Sequence, residues 1–159
     1  MMVAVWGAAD SGVSSFLALL AGCYRDTGAE VTGELLLNGA PLRWRRKRRQ
    51  IGYVTKEAEN FAQLTVEQTL YFSARLRLPR LPENILRFRV GLVCKLLGLS
   101  HLRDSMVGSA SIRGLSGGER KRVAYACELI VGYSLILCDQ VSLTLAAMWW
   151  TEAGVDSGV

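Results

Sequence analysis

The chain has 159 residues, a formal net charge of +5 and a hydrophobic content of 50%. That length fits one domain, and that share of apolar residues allows a sizeable core. Its apolar runs are shorter than the roughly 18 residues of a membrane-spanning helix, and its first residues lack the pattern of a signal peptide. The four cysteines form no CxxC pair, which argues against a zinc site and favours reduced thiols in a cytosolic domain.

Short apolar runs alternate with segments of helical spacing along the chain. Residues 3–6 are predicted to form a buried parallel strand, and residues 14–21 a helix that stops at Gly22. Residues 33–39 are predicted to form a strand that leads into an Asn-Gly turn. The later predicted elements are helices at 65–76, 87–97 and 116–130 and buried strands at 51–54 and 135–138. This order predicts an α/β fold, with a mostly parallel sheet flanked by helices and a helical insert at about residues 65–113.

A glycine-rich loop lies between the first predicted strand and the first predicted helix. It matches the phosphate-binding pattern GxxxxGK[ST] except at Val13, which stands at the lysine position. Backbone N–H groups of such a loop face a phosphate, and the Ser14 hydroxyl would ligate Mg²⁺. Without the lysine we expect weaker binding and weaker transition-state stabilisation; the simpler alternative is a tight turn that binds nothing. The predicted nucleotide-binding residues are Gly7, Ala8, Ala9, Asp10, Ser11, Gly12, Val13, Ser14 and Ser15.

The strongest signal is the segment IRGLSGGERKRVAYACELI at residues 112–130. It closely resembles the signature LSGGE of ABC transporters and the helix that follows it. The first residues of this helix would expose backbone N–H groups, where the helix dipole favours negative charge. Ser116 and Glu119 also have the spacing of a capping box, and both interpretations can hold together. The predicted signature residues, which would act in a partner's site, are Leu115, Ser116, Gly117, Gly118 and Glu119.

Further segments resemble the G subfamily of ABC transporters. They are LLGLSHLRDSMVGSASIRGLSGGE before the signature helix, LTVEQTLYFSARLRLP at residues 64–79, and GELLLNG. The resemblance runs in order from residue 3 to about residue 145. It implies a P-loop NTPase-type, ABC ATPase-like fold in truncated form. We expect a partial nucleotide-binding domain at residues 1–145 and a divergent tail at 146–159, that is, a fragment.

Several positions depart from the pattern that the resemblance implies. Asp139 matches the carboxylate that holds Mg²⁺, but Gln140 stands where a glutamate usually polarises the attacking water, and an amide cannot accept the proton. Lys56 occupies the Q-loop glutamine position, where a solvated surface lysine is the simpler interpretation. Ala146 replaces the D-loop aspartate. The switch histidine is absent, because the single histidine, His101, lies in the predicted helical insert.

These departures repeat a known combination. In pleiotropic drug resistance transporters, the N-terminal nucleotide-binding domain often lacks the lysine and the glutamate but keeps its signature. ABC sites are composite, since the phosphate loop of one domain faces the signature of the other. The resemblance therefore implies that the chain's signature completes a partner's site, while its own site binds ATP with Mg²⁺ and hydrolyses it poorly. The implied partners are a second nucleotide-binding domain and transmembrane domains, which would hold the chain at the cytoplasmic face of a membrane.

Two other function classes stay open at this point. A soluble ABC ATPase of the translation or DNA-repair type would share LSGGE, although the G-type segments and the short insert favour transport. A non-catalytic remnant would bind nothing. The basic run RWRRKRR at residues 43–49 is compatible with anionic lipid or nucleic acid. It is predicted to be a solvated turn, and no nucleic-acid partner is expected, because no nucleic-acid motif accompanies it.

Overall fold

The computed structural model describes residues 3–8, 10–23, 30–37, 39–41, 50–56, 61–109 and 111–140. Within these ranges the chain divides into two compact units. The sheet unit lies within Met1–Lys56 and Tyr133–Asp139, and the helical unit within Glu57–Gly132 and Gln140–Val159. The named elements are α1 (Val13–Ala21), β1 (Leu36–Leu37), β2 (Ala40–Pro41), β3 (Ile51–Val54), α2 (Val66–Arg77), α3 (Glu83–Leu96), α4 (Gly117–Leu129) and β4 (Leu135–Cys138).

The sheet unit is organised by one parallel strand pair. Strand β3 lies beside β4 from Ile51 opposite Leu135 to Val54 opposite Cys138. The ladder continues by one residue, because the Asp139 amide donates to the Val54 carbonyl at 2.9 Å. Helix α1 contacts both strands and buries two of its residues against the unit. The strands predicted at 51–54 and 135–138 and the helix predicted at 14–21 are thereby confirmed.

A small antiparallel hairpin accompanies this pair. Strands β1 and β2 pair with Leu36 opposite Pro41 and Leu37 opposite Ala40. Gly39 in the connecting turn has φ 77°, a left-handed conformation that glycine adopts without a steric penalty. Within the described residues, the strand predicted at 33–39 is confined to Leu36–Leu37, which pair with Ala40–Pro41. The asparagine of the predicted turn, residue 38, lies outside the described residues.

The buried strand predicted at residues 3–6 was wrong. The segment forms no strand, and Val3, Val5 and Trp6 expose 70%, 47% and 87% of their surfaces. An apolar sequence becomes a strand only where a neighbour supplies backbone hydrogen-bond partners. Among the described residues, β3 and β4 pair with each other and neither pairs with this segment. Strand β4 is also less buried than predicted, since its first residue is exposed.

Helices α2, α3 and α4 pack against one another in the helical unit. Helix α2 begins with a capping box in which Thr65 and Gln68 exchange hydrogen bonds of 3.2 and 3.0 Å. Helix α3 begins four residues earlier than predicted, at Glu83, after Pro82 in an extended conformation. None of the helices in the described ranges is both long and apolar enough to cross a membrane. The largest fully buried side chains belong to Val66, Leu70, Leu86, Val90, Cys94, Leu97, Leu99, Val107, Val123 and Ile130.

Replacing a core leucine of α2 tests this packing. Leu70 is fully buried, whereas Leu76 on the same helix is 65% exposed. We expect Leu70→Ala to lower the free energy of unfolding by about 2–5 kcal/mol, because it removes apolar contacts and leaves a cavity. The control Leu76→Ala should cost less than about 0.5 kcal/mol. Urea unfolding of the full chain, followed by circular dichroism, measures both; equal losses would contradict the described core.

Candidate functional site

The glycine-rich loop of the sheet unit turns sharply into α1. The Ser11 amide donates to the Ala8 carbonyl at 3.1 Å, which closes a turn. Asp10 and Gly12 both adopt left-handed conformations, with φ 64° and 87°. The first backbone bond of the helix runs from the Phe16 amide to the Gly12 carbonyl at 2.8 Å. The helical amides before Phe16 therefore have no acceptor inside the helix, and the helix dipole favours an anion at this end.

Val13 occupies the position where the pattern has a lysine, and its side chain lies beside Gly7. A side chain built on Gly7 would lie 2.7 Å from the Val13 Cγ2 methyl and 2.1 Å from the Ser11 hydroxyl oxygen. Only glycine therefore fits at residue 7 without displacing its neighbours. The side chain of Val13 is half-buried and carries no charge. The loop thus offers backbone donors but no cation of its own, and Ala9 lies outside the described residues.

The two predicted Mg²⁺ ligands meet although 125 residues separate them. The Ser14 hydroxyl donates to Asp139 Oδ1 at 3.1 Å. Asp139 is only 5% exposed, and its backbone is fixed by the bond to Val54. Mg²⁺ takes octahedral oxygen ligands at about 2.0–2.1 Å, which puts neighbouring ligands about 2.9 Å apart. The spacing of the hydroxyl and carboxylate oxygens therefore fits adjacent positions on one Mg²⁺.

Asp139 also affects a neighbouring tyrosine. Burial, and secondly the charge of Asp139, raise the pKa of Tyr53 above its ordinary value. Tyr53 therefore stays protonated at neutral pH beside the carboxylate. Since Asp139 is held between β3 and α1, it keeps a fixed position at the end of β4.

The two remaining catalytic candidates lie in different units. Lys56 follows β3 at a bend in the sheet unit and is exposed; no ion pair or hydrogen bond joins its side chain to another described residue. Gln140 belongs to the helical unit, is exposed and has φ 57°. Its carbonyl accepts a hydrogen bond from Lys121 Nζ at 3.1 Å. The Lys121 bond was not predicted, because no local pattern relates α4 to residue 140.

The predicted signature residues form the start of α4. Ser116 is the N-cap, and its hydroxyl accepts from the Glu119 amide at 3.3 Å. Glu119 Oε2 accepts from the Ser116 amide at 2.8 Å and from the Ser116 hydroxyl at 2.7 Å. Leu115 is 5% exposed, and its amide donates to the Val107 carbonyl at 3.1 Å. The predicted capping box is present, and a buried leucine anchors it.

The two glycines of the signature lie on the open side of this helix start. Gly117 and Gly118 are exposed, and a side chain built on either would meet nothing within 4 Å. Their amides belong to the first helical turn, and no acceptor for them lies among the residues that the structure describes. The start of α4 is therefore open to solvent at both glycines.

A contact between two other glycines sets the path of the chain into the signature. Gly108 has φ 70°, and a side chain on it would lie 2.7 Å from the Gly114 Cα. A side chain on Gly114 would lie 2.6 Å from the Gly108 Cα. Arg120 Nη1 adds a bond of 2.6 Å to the Leu115 carbonyl. This arrangement was not predicted; its signal in the sequence is a pair of glycines that flank the loop before the signature.

The charge on Glu119 is stabilised by its cap. Hydrogen bonds from the Ser116 side chain, and secondly from the Ser116 backbone, hold the pKa of Glu119 below its ordinary value. The carboxylate is therefore ionised at neutral pH. An anion that approached the first turn of α4 would meet the free glycine amides and also this negative charge, which is already engaged with Ser116.

The chain matches the ABC transporter family over residues 1–142. It is 40% identical over 140 residues to ABC transporter G family member 28 of Arabidopsis thaliana, and 41% identical over 138 residues to the broad substrate specificity ATP-binding cassette transporter ABCG2 of Sus scrofa. Each alignment covers 86% of this chain, but only 12% and 21% of those proteins. The chain therefore spans less than a quarter of the length of these relatives.

One solved structure extends the comparison to the fold. The chain superposes on cbiO1 from Clostridium perfringens, part of the ABC transporter complex cbiONQ, with a TM-score of 0.69. The two sequences are 26% identical, and the match covers 84% of this chain and 51% of that one. The predicted α/β, P-loop NTPase-type fold class is confirmed at this level.

The lowered pKa of Glu119 predicts a pH-dependent stability. A carboxylate whose pKa is lower in the folded state than in the unfolded state stabilises the fold at pH values above its unfolded-state pKa. This contribution is lost as the pH falls through the folded-state pKa. We therefore expect Glu119→Gln to be less stable than the natural chain at pH 7. The difference in stability between the two chains should shrink as the pH falls below 4.5, the ordinary pKa of a glutamate.

Urea unfolding across a pH series measures this difference. Ser116→Ala is the matched control: it should cost about 1 kcal/mol as a lost cap. In its background the pH-dependent effect of Glu119→Gln should become smaller, because the main cause of the shift is gone. A difference that persists unchanged in acid would contradict the capping arrangement.

Proposed function

Because the chain belongs to the ABC transporter family and is similar to G-subfamily members over most of its length, we propose that it is the ATP-binding domain of a transporter, which couples ATP binding and hydrolysis to transmembrane transport. The observation that carries this proposal is the 3.1 Å contact between the Ser14 hydroxyl and Asp139 Oδ1. Residues 1–145 would form the partial nucleotide-binding domain, with an insert at about 65–113 and a divergent tail at 146–159.

The ligand of this site is ATP with Mg²⁺. The backbone amides at the start of α1 would bind the phosphates, because helix N-termini favour anions. Ser14 and Asp139 would hold Mg²⁺, directly or through water. A bound Mg²⁺ supplies positive charge that neutralises phosphate oxygens. The spacing of the two protein oxygens and the left-handed conformations at Asp10 and Gly12 support this assignment.

Hydrolysis at this site is impaired. Val13 contributes no charge to the phosphates, so the transition state loses an electrostatic stabiliser. Gln140 stands at the position of the general base, where an amide can orient water but cannot accept its proton. Slow ATP turnover is therefore the expected property of this site.

The signature acts in a second site. Ser116, Gly117, Gly118 and Glu119 would face the phosphate loop of a second nucleotide-binding domain, with Leu115 as their buried anchor. The exposed glycine amides at the start of α4 support this role, since they offer donors to a terminal phosphate. The complete assembly would include transmembrane domains, and these would hold the chain at the cytoplasmic face of the membrane. A soluble ABC ATPase, or a remnant that binds no nucleotide, is the competing outcome of the experiments below.

Equilibrium binding of a fluorescent ATP analogue to the full chain tests the nucleotide site. We expect binding that Mg²⁺ strengthens. Ser14→Ala and Asp139→Asn should each remove most of the Mg²⁺ dependence and weaken binding by about tenfold or more, since contacts to charged groups contribute roughly 1.5–3 kcal/mol. Asp104→Asn is the matched control, because it removes one carboxylate from the helical unit. If the natural chain fails to bind the analogue in Mg²⁺, the remnant alternative is correct.

ATP turnover in an assembled pair tests the signature. The second domain should be an ABC nucleotide-binding domain with intact lysine and glutamate and with its own signature serine changed to Arg. The only complete site then combines its phosphate loop with the signature of this chain. Ser116→Arg should lower turnover at least about tenfold, because the bulky cation blocks the start of α4. The control is Ser111→Arg in the exposed loop upstream; undiminished turnover with Ser116→Arg would exclude the signature role.

A further inference from the structure

The candidate nucleotide site differs from the family pattern at two positions that involve a lysine. Val13 stands where the phosphate-binding lysine is expected, and Lys56 stands where a neutral glutamine is expected. We propose that Lys56 supplies the positive charge that Val13 cannot, so that the phosphate-binding cation of this site comes from the end of β3 instead of the start of α1. This inference rests on the proposed ATP-binding function and assigns a further binding residue to the same site.

The strand register brings Lys56 to the correct edge of the sheet unit. Val54 is the last residue of β3 and lies opposite Cys138, the last residue of β4. Asp139 follows β4 directly and bonds back to Val54. Lys56 follows Val54 by two residues, so it lies at the same carboxyl edge as Asp139 and its partner Ser14. Ligands of open α/β sheets bind outside the carboxyl ends of the strands.

The charges in the described part of the sheet unit favour this lysine. Among the residues of the unit that the structure describes, Lys56 is the only lysine or arginine. Asp10, Glu30, Glu34 and Asp139 are its acidic residues. Within the described part of the unit, a triphosphate at the start of α1 would meet several carboxylates, and Lys56 would be the one cation there. Without Lys56, the described part of the unit would present only backbone dipoles and a bound Mg²⁺ to the phosphates.

The chemistry of lysine suits a change of position. Its ammonium group is a compact charge with three donors on a flexible four-carbon stem. Unlike the planar guanidinium of arginine, it does not need one fixed orientation. A lysine that follows β3 can therefore reach a phosphate bound at the start of α1. Lys56 is exposed and forms no ion pair with the described residues. Val13, in contrast, carries no charge, and its Cγ2 methyl lies close to Gly7.

Binding of fluorescent ATP and ADP analogues to the full chain in Mg²⁺ tests the proposal. Lys56→Gln, which installs the neutral residue of the family pattern, should weaken binding of the ATP analogue about tenfold, equivalent to about 1.4 kcal/mol. The loss should be smaller for the ADP analogue, because the cation would contact the terminal phosphate. Lys56→Arg should retain most of the affinity. Val13→Lys in the Lys56→Gln background should restore it, which a structural role of Lys56 would not predict.

Lys95→Gln on α3 is the matched control, since it changes the net charge equally within the helical unit. We expect it to leave both affinities unchanged. Equal losses in Lys56→Gln and Lys95→Gln would mean a general charge effect and overturn the proposal. Tight binding that is unaffected by Lys56→Gln would overturn it as well and leave the proposed function intact. No binding by the natural chain would overturn both.

Discussion

The parallel pairing of β3 with β4 is the constraint on which the nucleotide site depends. Parallel strands cannot be joined by a tight turn, so residues distant in sequence must meet at one edge. Here the pairing ends with Val54 and Cys138 side by side, and the Asp139 amide extends it to the Val54 carbonyl. Helix α1 packs on the same two strands and delivers Ser14 to the Asp139 carboxylate. A shift in this register would separate the hydroxyl from the carboxylate.

The start of α4 contains a capping box and two exposed glycines. The Ser116 hydroxyl donates to the Glu119 carboxylate at 2.7 Å, so its proton is already engaged within the cap. The amides of Gly117 and Gly118 are not used in this way. The Ser116 hydroxyl could therefore donate to another acceptor only if it gave up its bond to Glu119. Glycine at both positions keeps the approach open, because any side chain would extend into that space.

Local chemistry made part of this fold predictable from sequence. The helices at 14–21 and 116–130 were predicted within one residue, because Gly22 stops the first and the Ser116–Glu119 spacing starts the second. The strands at 51–54 and 135–138 were predicted with their observed bounds. The order of these segments was enough for the fold class. In the candidate site, the motif resemblance named Ser14 and Asp139 as ligands of one ion, and the structure places the two side chains in contact.

Features that depend on distant partners were not predictable in the same way. Residues 3–6 have an apolar strand pattern but no strand beside them in the described part of the chain, so the pattern alone misled. The contact between Gly108 and Gly114 depends on the close approach of two backbone segments. The bond from Lys121 to the Gln140 carbonyl joins two elements that share no local pattern. For residues 3–6 and for Lys121 the deciding partner lies far along the chain, whereas the two glycines are close in sequence and their approach depends on how the loop folds.

The two candidate sites depend on different residues, because each is built within its own unit. The signature depends on its own cap, on buried Leu115 and on the contact between Gly108 and Gly114, all within the helical unit. The phosphate loop depends on α1 and the strand pair of the sheet unit. Lys121 contacts the backbone carbonyl of residue 140, so the fold constrains the position of that residue but not the identity of its side chain. A glutamine there and a valine at residue 13 are therefore compatible with an unchanged cap at the start of α4.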